Sequence, residues 1–249
     1  MLDAAAFLKP IAHRGLHDAG NGLVENTAAA FEAAIAKGYG IECDVRPAKG
    51  GTPIVFHDDT MERLTVASGA MAAHDAAALK AFKFHIGDHR IIELAELLDL
   101  VAGRQPILVE IKSEWDAPDP DFLEAIATLA RGYTGPLALM SFDPAVIAPM
   151  RDMAPEVPRG IVSGVIDEDE KWRERLGAER AYRLTHLLES RAAAPDFYAY
   201  QVGALPTPVT QFVREVMGIP LFTWTVRTAE DRATASRWAD APIFEGFEP

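Results

Sequence analysis

Short apolar runs alternate with longer segments of helical periodicity along the whole chain. The apolar runs predict eight strands, at Ile11–His13, Gly40–Val45, Ile107–Ile111, Leu137–Ser141, Gly160–Val162, Phe197–Tyr200, Leu221–Val226 and Pro242–Phe244. The segments between them predict helices at Ala28–Lys37, Leu94–Val101, Pro120–Arg131, Pro144–Met153, Glu179–Ser190, Thr207–Met217 and Ala229–Trp238. Strands that alternate with helices indicate an α/β fold with a parallel sheet, and eight strands close a (β/α)8 TIM barrel.

The segment after the second strand is expected to fold back on that strand as a hairpin. The stretch leading to Ile54 is too short for a parallel crossover, which needs a dozen or more residues. If Lys49–Thr52 forms the turn, Asp44 pairs directly with His57. Because side chains alternate along a strand, Glu42, Asp44 and His57 would then share one face.

The widest region without a predicted element is Asp59–Arg90, which is rich in Ala, His and Gly. We interpret it as a small insertion or lid that follows the hairpin and covers one end of the barrel. Residues 1–249 would then form a single domain, since barrels of this length are common as one unit.

Composition narrows the possible partners. The net charge is −13, and this disfavours nucleic acid and anionic membranes as partners, because both are bound by basic surfaces. The single cysteine, Cys43, allows no internal disulfide and favours a reducing, cytoplasmic compartment. The N-terminus lacks the pattern of a signal peptide, and no segment is long enough for stable membrane insertion. A small-molecule substrate is therefore expected, while the oligomeric state stays open.

Carboxylates at a spacing of two suggest a metal site. Glu42 and Asp44 share one face of the second strand, where they could bind a hard cation such as Mg²⁺ or Ca²⁺. The alternative is the polar face of an edge strand, which the apolar neighbours of both residues disfavour. Glu110 and Lys112 repeat the spacing on the third barrel strand, so Glu110 could be a third ligand and Lys112 could neutralise a phosphate oxygen. Taken alone, that second segment favours a buried Glu–Lys ion pair.

Two histidines are candidates for acid–base chemistry, because the pKa of histidine lies near working pH. His13 and His57 both end strands on the same rim of the predicted barrel. Arg14 offers a planar fork that suits phosphate, although it could equally form a salt bridge on the rim. Trp224, late in the seventh strand, could form a wall of the substrate pocket or pack in the core.

Taken together, the motifs resemble those of the glycerophosphodiester phosphodiesterases. The resemblance covers nearly the whole chain and rests on His13-Arg-Gly15, Glu25-Asn-Thr27, Glu42-Cys-Asp44, Val55-Phe-His-Asp58, Glu110-Ile-Lys112, Ser141-Phe142 and Thr223-Trp-Thr-Val226. It implies a (β/α)8 barrel with a small insertion at Asp59–Arg90. It also implies cleavage of a glycerophosphodiester into sn-glycerol 3-phosphate and an alcohol.

The resemblance assigns each candidate residue a role. His13 and His57 would be the acid–base pair, and one divalent cation, Mg²⁺ or Ca²⁺, would bind to three carboxylates. The metal ligands would be Glu42, Asp44 and Glu110, and the substrate-binding residues would be Arg14, Lys112 and Trp224. The chain departs from the family pattern at Val24, at Arg227 and in the terminal segment Pro242–Pro249.

Two alternatives on the same barrel remain. A lysophospholipase D-like enzyme would need an apolar groove for an acyl chain, which Phe82, Phe84, Phe142 and Trp224 could form. A catalytically silent barrel could bind a phosphodiester as a sensor. A silent protein has no physical need for both a metal site and two histidines, so the residue set favours an enzyme.

Overall fold

The computed structural model describes every residue from Met1 to Pro249. Its strands are β1 Ile11–Ala12, β2 Gly40–Pro47, β3 Pro53–Val55, β4 Ile92–Glu93, β5 Ile107–Ile111, β6 Leu137–Ser141, β7 Arg159–Ser163, β8 Phe197–Gln201, β9 Leu221–Val226 and β10 Ala241–Phe244. Its α-helices are α1 Ala4–Phe7, α2 Ala28–Ala36, α3 Ala76–Ala81, α4 Leu94–Val101, α5 Pro120–Gly132, α6 Pro144–Met153, α7 Glu170–Leu176, α8 Ala178–Thr185, α9 Ser190–Ala193, α10 Pro208–Gln211 and α11 Ala229–Trp238.

Eight of the ten strands form a closed parallel barrel, in the order β1-β2-β5-β6-β7-β8-β9-β10. The last strand completes the closure, because β10 pairs with β9 on one side and with β1 on the other. In that final pairing Ile11 lies opposite Ile243. The predicted (β/α)8 fold is therefore confirmed, including its last strand.

Alternation along the strands separates two apolar cores. Cys43 on β2 and Val109 on β5 point outward into the large core between the barrel and its helices. Leu108 and Ile243 point inward into a smaller core that fills the barrel. The polar side chains at the carboxyl ends of β2 and β5 continue the inward-facing rows, so they lie above a packed apolar floor.

The hairpin exists, but its predicted register is wrong by one residue. β3 pairs antiparallel with β2, with Val45 opposite Val55 and Arg46 opposite Ile54. Asp44 accordingly bonds to the backbone amide of Phe56, not of His57. The turn is one residue shorter than predicted, since the amide of Ala48 bonds to the carbonyl of Thr52 at 2.9 Å. Gly50 and Gly51 make this tight turn possible, because both adopt positive φ.

The segment Asp59–Arg90 packs around a small core that it shares with the hairpin and that includes Met61, Leu79 and Phe84. The only α-helix of this segment is α3. Directly after the segment, β4 pairs antiparallel with β3. Phe82 packs against this core too, so neither Phe82 nor Phe84 belongs to the barrel mouth. A role of this segment as a lid stays a prediction.

The helices after β7 differ most from the prediction. The interval between Ser163 and Ala178 contains α7, which the sequence patterns do not indicate. The helix predicted at Glu179–Ser190 is shorter than expected: α8 ends at Thr185, Leu187 then adopts a left-handed conformation with φ of 57°, and α9 begins only at Ser190. None of the helices combines the length and the apolar character needed to cross a bilayer.

Candidate active site

Three carboxylates converge inside the barrel at the carboxyl ends of β2 and β5. Glu42 and Asp44 project inward from β2, and Glu110 projects from β5, where it is the direct neighbour of Asp44. All three are buried, and one oxygen of each lies within 4.8 Å of the others. The structure thus brings together the three side chains that the sequence predicts as metal ligands.

Lys112 places a positive charge within this cluster. Its Nζ lies 2.5 Å from Oε1 of Glu110 and 2.7 Å from Oδ1 of Asp44. Burial raises the pKa of Glu42 well above its ordinary value, and the neighbouring negative charges raise it further. Burial also acts to raise the pKa of Asp44, but Lys112 and other nearby basic side chains outweigh it and lower that pKa. Asp44 therefore stays ionised, whereas its surroundings make Glu42 easier to protonate.

The cluster fits a divalent cation. Oε1 of Glu42 is a buried oxygen without a hydrogen-bond partner, and Oδ1 of Asp44 has only the ion pair with Lys112. A buried acceptor without a donor is costly, and a bound ion satisfies it. Three carboxylates are the donor set that Mg²⁺ and Ca²⁺ prefer. Glu42, Asp44 and Glu110 can therefore hold a divalent metal.

His13 follows β1 and is held by a carboxylate from the other end of the chain. Its Nδ1 lies 2.5 Å from Oε2 of Glu245, and its Nε2 lies 3.9 Å from Oε2 of Glu42. Burial lowers the pKa of His13. Burial acts to raise the pKa of Glu245, but the hydrogen bond from His13, the nearby His17 and the hydrogen bond from Arg227 outweigh it and lower that pKa. Because Glu245 is ionised, Nδ1 of His13 carries the proton and Nε2 is the free nitrogen.

His13, His17 and Glu245 form a second group whose atoms lie close enough to bind a metal. A hard cation nevertheless prefers the all-oxygen cluster, and Glu245 is already engaged as a hydrogen-bond acceptor of His13. The three buried carboxylates are therefore the better fit for a hard cation.

His57 is held in the same way as His13. Its Nδ1 lies 2.7 Å from Oδ1 of Asp58, whose other oxygen accepts a bond from Nε of Arg63 at 2.6 Å. Burial acts to raise the pKa of Asp58, but the bonds from His57 and Arg63 outweigh it and lower that pKa. Arg63 belongs to the segment after the hairpin and also donates to Glu25. The ionised Asp58 therefore fixes Nδ1 of His57 as the protonated nitrogen.

Arg14 and Asn26 support the carboxylates from the loops after β1 and before α2. The backbone amide of Arg14 donates to Glu42 at 2.9 Å, and its guanidinium donates to Glu25 at 2.7 Å. Asn26 donates from Nδ2 to Oδ2 of Asp44 at 2.8 Å. Both Arg14 and Asn26 have positive φ values, 56° and 55°, a conformation that costs energy in non-glycine residues and is concentrated at functional sites.

A cavity of about 420 Å³ opens above these groups. Seven of the eight predicted site residues line it, namely His13, Arg14, Glu42, His57, Glu110, Lys112 and Trp224. Asp44 is fully buried beneath them. Trp224 forms part of the wall, with its ring edge-on to Phe142 at 5.2 Å between centroids.

Comparison with known proteins identifies the family. The model of the "Glycerophosphoryl diester phosphodiesterase family" matches residues 13–244. The chain belongs to this family. It is therefore a phosphoric diester hydrolase. The glycerophosphodiester phosphodiesterase of Caldanaerobacter subterraneus subsp. tengcongensis is 29% identical over 234 residues, which cover 89% of this chain and 86% of that protein.

Solved structures show the shared fold of this hydrolase. A phosphodiesterase of Oleispira antarctica, in complex with the product sn-glycerol-3-phosphate, superposes with a TM-score of 0.75 at 22% identity, covering 97% of this chain and 94% of that one. A glycerophosphodiester phosphodiesterase of Thermotoga maritima superposes with a TM-score of 0.70 at 23% identity, covering 95% and 93%.

Several contacts of the hydrolase site are absent from the sequence-based predictions. Asn26 and Asp58 stand within motifs that the sequence does single out, so adjacency to Thr27 and His57 was an available signal. Glu245 directly follows the last barrel strand, on the rim where His13 also lies. Trp172 lies on α7 and also lines the cavity. The sequence gives no comparable signal for it, because the apolar pattern does not predict α7.

Proposed function

We propose that this hydrolase cleaves glycerophosphodiesters into sn-glycerol 3-phosphate and an alcohol, with Mg²⁺ or Ca²⁺ bound by Glu42, Asp44 and Glu110. The observation that carries the proposal is that two carboxylate-held histidines open onto the same cavity as the buried acidic cluster. The Oleispira antarctica relative, which binds sn-glycerol-3-phosphate as its product, supports this class of substrate.

His13 and His57 would divide the proton transfers. Each presents Nε2 as its free nitrogen, because Glu245 and Asp58 hold the two Nδ1 atoms. One Nε2 would accept the proton of the attacking hydroxyl, from water or from the glycerol itself, while the other histidine, in its doubly protonated form, would give a proton from Nε2 to the departing alkoxide. A bound cation would supply Lewis-acid polarisation of the phosphoryl group.

Arg14 and Lys112 would bind the phosphate. Both line the cavity, and both are held in place by carboxylates, Arg14 by Glu25 and Lys112 by Glu110. Fixed positive charges stabilise the charge that develops in the transition state without having to reorganise. Trp224 would form one side of the space for the departing alcohol.

Lysophospholipase D-like activity remains the second candidate. Of its predicted acyl groove, Phe142 and Trp224 line the cavity, but Phe82 and Phe84 pack in the separate core after the hairpin. Two of the four predicted groove residues therefore lie outside the cavity, and this favours small, water-soluble diesters as substrates. We also propose a cytoplasmic setting, which the single buried cysteine supports.

A product assay tests the proposal. Release of sn-glycerol 3-phosphate is measured on a panel of glycerophosphodiesters and lysophospholipids, before and after removal of divalent ions with EDTA. We expect turnover of the water-soluble diesters only, lost with EDTA and restored by Mg²⁺ or Ca²⁺. Undiminished release after complete chelation would refute the metal assignment, and preferred cleavage of lysophospholipids would establish the alternative.

Substitution of the histidines tests the acid–base pair. His13→Ala and His57→Ala should each reduce kcat by roughly 100-fold or more, since general acid–base catalysis contributes about 10²–10⁴-fold. His186→Ala is the matched control, because His186 packs against Tyr182 away from the cavity. Wild-type turnover in either site variant, with an unchanged circular dichroism spectrum, would show that the pair is assigned incorrectly.

A further inference from the structure

One arginine outside the barrel connects two sides of the candidate site. Arg63 belongs to the segment after the hairpin, and its guanidinium donates hydrogen bonds to two different carboxylates. Its Nε and Nη2 bond to Asp58 at 2.6 and 3.1 Å, and its Nη1 and Nη2 bond to Glu25 at 2.9 and 2.8 Å. All three nitrogens of the guanidinium are therefore used, in a forked geometry that lysine does not offer.

Each of these carboxylates holds a different functional side chain. Oδ1 of Asp58 lies 2.7 Å from Nδ1 of His57, and Oε1 of Glu25 accepts from Nη1 of Arg14 at 2.7 Å. Nη2 of Arg63 bonds to these same two oxygens. A single nitrogen thus lies between the hydrogen bond that holds the histidine and the one that holds the phosphate-binding arginine.

The backbone that carries Arg63 is well anchored. Met61 and Thr65, two residues before and after it, are buried. Both the amide and the hydroxyl of Thr65 donate to the carbonyl of Met61 at 3.0 Å. His85 bonds to the carbonyls on either side of Arg63, through Nε2 and through its amide, each at 2.9 Å. A side chain on such a support can hold other groups in place.

An ordinary surface ion pair is the alternative, since the side chain of Arg63 is 46% exposed and exposed pairs add little stability. Arg104 provides the comparison. Its side chain is 45% exposed and it donates two bonds to Glu32, at 3.1 and 2.6 Å. Glu32 holds no residue of the site, whereas both partners of Arg63 do. The two arginines therefore differ in what their carboxylates hold, and hardly in exposure.

From these contacts we infer that Arg63 is a positioning residue that couples His57 to Arg14, so that the segment after the hairpin supports the site. The inference rests on the proposed function, from which it takes the roles of both coupled residues. Through Asp58, Arg63 fixes the ring of His57 and keeps a proton on Nδ1. Through Glu25, it fixes the guanidinium of Arg14. Loss of Arg63 therefore impairs proton transfer and phosphate binding together.

Steady-state kinetics of the metal-loaded enzyme separate these two effects, with the diester that the product assay shows to be cleaved fastest. Asp58→Asn should mainly lower kcat, and Glu25→Gln should mainly raise KM. Arg63→Ala should do both, with kcat lower by about 10- to 100-fold, since misplacing a reacting group by about 1 Å can cost about 10²-fold. Arg104→Ala is the matched control and should change neither constant. Wild-type constants in Arg63→Ala, or an equal loss in Arg104→Ala, would overturn the inference.

A double variant shows whether Arg63 acts through Asp58. Residues that act as one unit have non-additive effects, so adding Arg63→Ala to Asp58→Asn should lower kcat by no more than about twofold further. Losses that multiply in the double variant would show that the two residues act independently. That result would overturn the coupling.

Arg63→Lys tests the geometry with the charge retained, and it carries the test if Arg63→Ala does not fold. A lysine ammonium cannot bond to both carboxylates as a fork, so kcat should stay at least about fivefold below wild type with an unchanged circular dichroism spectrum. Full kcat in Arg63→Lys would overturn the positioning role. His57→Ala separates the two proposals: if it is impaired while the Arg63 variants are not, only this inference fails. Wild-type turnover in His57→Ala would overturn the proposed acid–base role, and with it this inference.

Discussion

Divalent cations should stabilise the folded enzyme, and Glu42→Gln should remove that effect. In the metal-free protein, Glu42 lies fully buried beside Asp44 and Glu110, so burial and like charge raise its pKa. A carboxyl group whose pKa is higher in the folded state costs stability once the pH exceeds the unfolded value, because the folded state must lose a proton that it binds more tightly. Glutamine imitates the protonated form, so the variant without metal should melt at or above the wild-type temperature.

The size of the metal effect follows from linkage. An ion that binds only the folded state, at 100 times its Kd, adds about 2.7 kcal/mol. Unfolding entropy near Tm is about 2.1 cal/mol/K per residue, which gives about 0.5 kcal/mol/K for a chain of 249 residues. Tm should therefore rise by about 5 °C at saturation.

Differential scanning fluorimetry after dialysis against EDTA, followed by titration with Mg²⁺ or Ca²⁺, measures this shift at neutral pH. Glu32→Gln is the matched control, since Glu32 is an exposed residue of α2 that pairs with Arg104. It should keep the full response, whereas Glu42→Gln should show almost none. A full shift in Glu42→Gln, or none in the wild type at saturating ion, would refute the assignment of the cluster as a metal site.

Three further predictions concern single side chains. Glu245→Gln should weaken the hydrogen bond to Nδ1 of His13. In steady-state assays it should therefore lower kcat by about 10- to 100-fold with KM nearly unchanged. A change confined to KM would contradict this positioning role. Gly160→Ala should destabilise the fold by roughly 1–3 kcal/mol in urea unfolding, because a Cβ there would meet the ring of Phe197 at 2.3 Å; unchanged stability would show that the ring moves freely. Thr27→Ala should cost about 1 kcal/mol in the same experiment, since its side chain caps α2, and Thr27→Ser should restore most of it.

The fold could be predicted because its signals are local. Each barrel strand is a short apolar run, and helices such as α4 and α5 carry a periodic apolar face, so the number of strands follows from the chain itself. Helix α7 could not be predicted in this way, because its residues are mostly charged and it buries none of them completely. Trp172 of this helix packs on Phe142, which is 30 positions earlier in the chain and follows a different barrel strand.

The site could be predicted where one strand face carries two functional groups, as at Glu42 and Asp44. The site could not be predicted where the hydrogen-bond partner of a functional side chain comes from a distant part of the chain, as Glu245 does for His13. The hairpin illustrates the limit: its turn is one residue shorter than expected, so the pairing of Asp44 with His57 is wrong. His57 still reaches the cavity, because it lies beyond the last paired residue of β3, where strict alternation no longer fixes its side chain.

The contact between His13 and Glu245 links the proposed acid–base site to closure of the barrel. The two residues are 232 positions apart and become neighbours only because β10 pairs with β1, with the amide of His13 bonded to the carbonyl of Phe244 at 2.9 Å. The last strand therefore has two consequences, since it completes the sheet and it presents the carboxylate that holds Nδ1 of His13. Arg227, where the chain departs from the family pattern, holds the other oxygen of Glu245 at 2.6 Å. The structure thus gives Arg227 a role that the isolated motif does not show, because its partner Glu245 follows the last barrel strand.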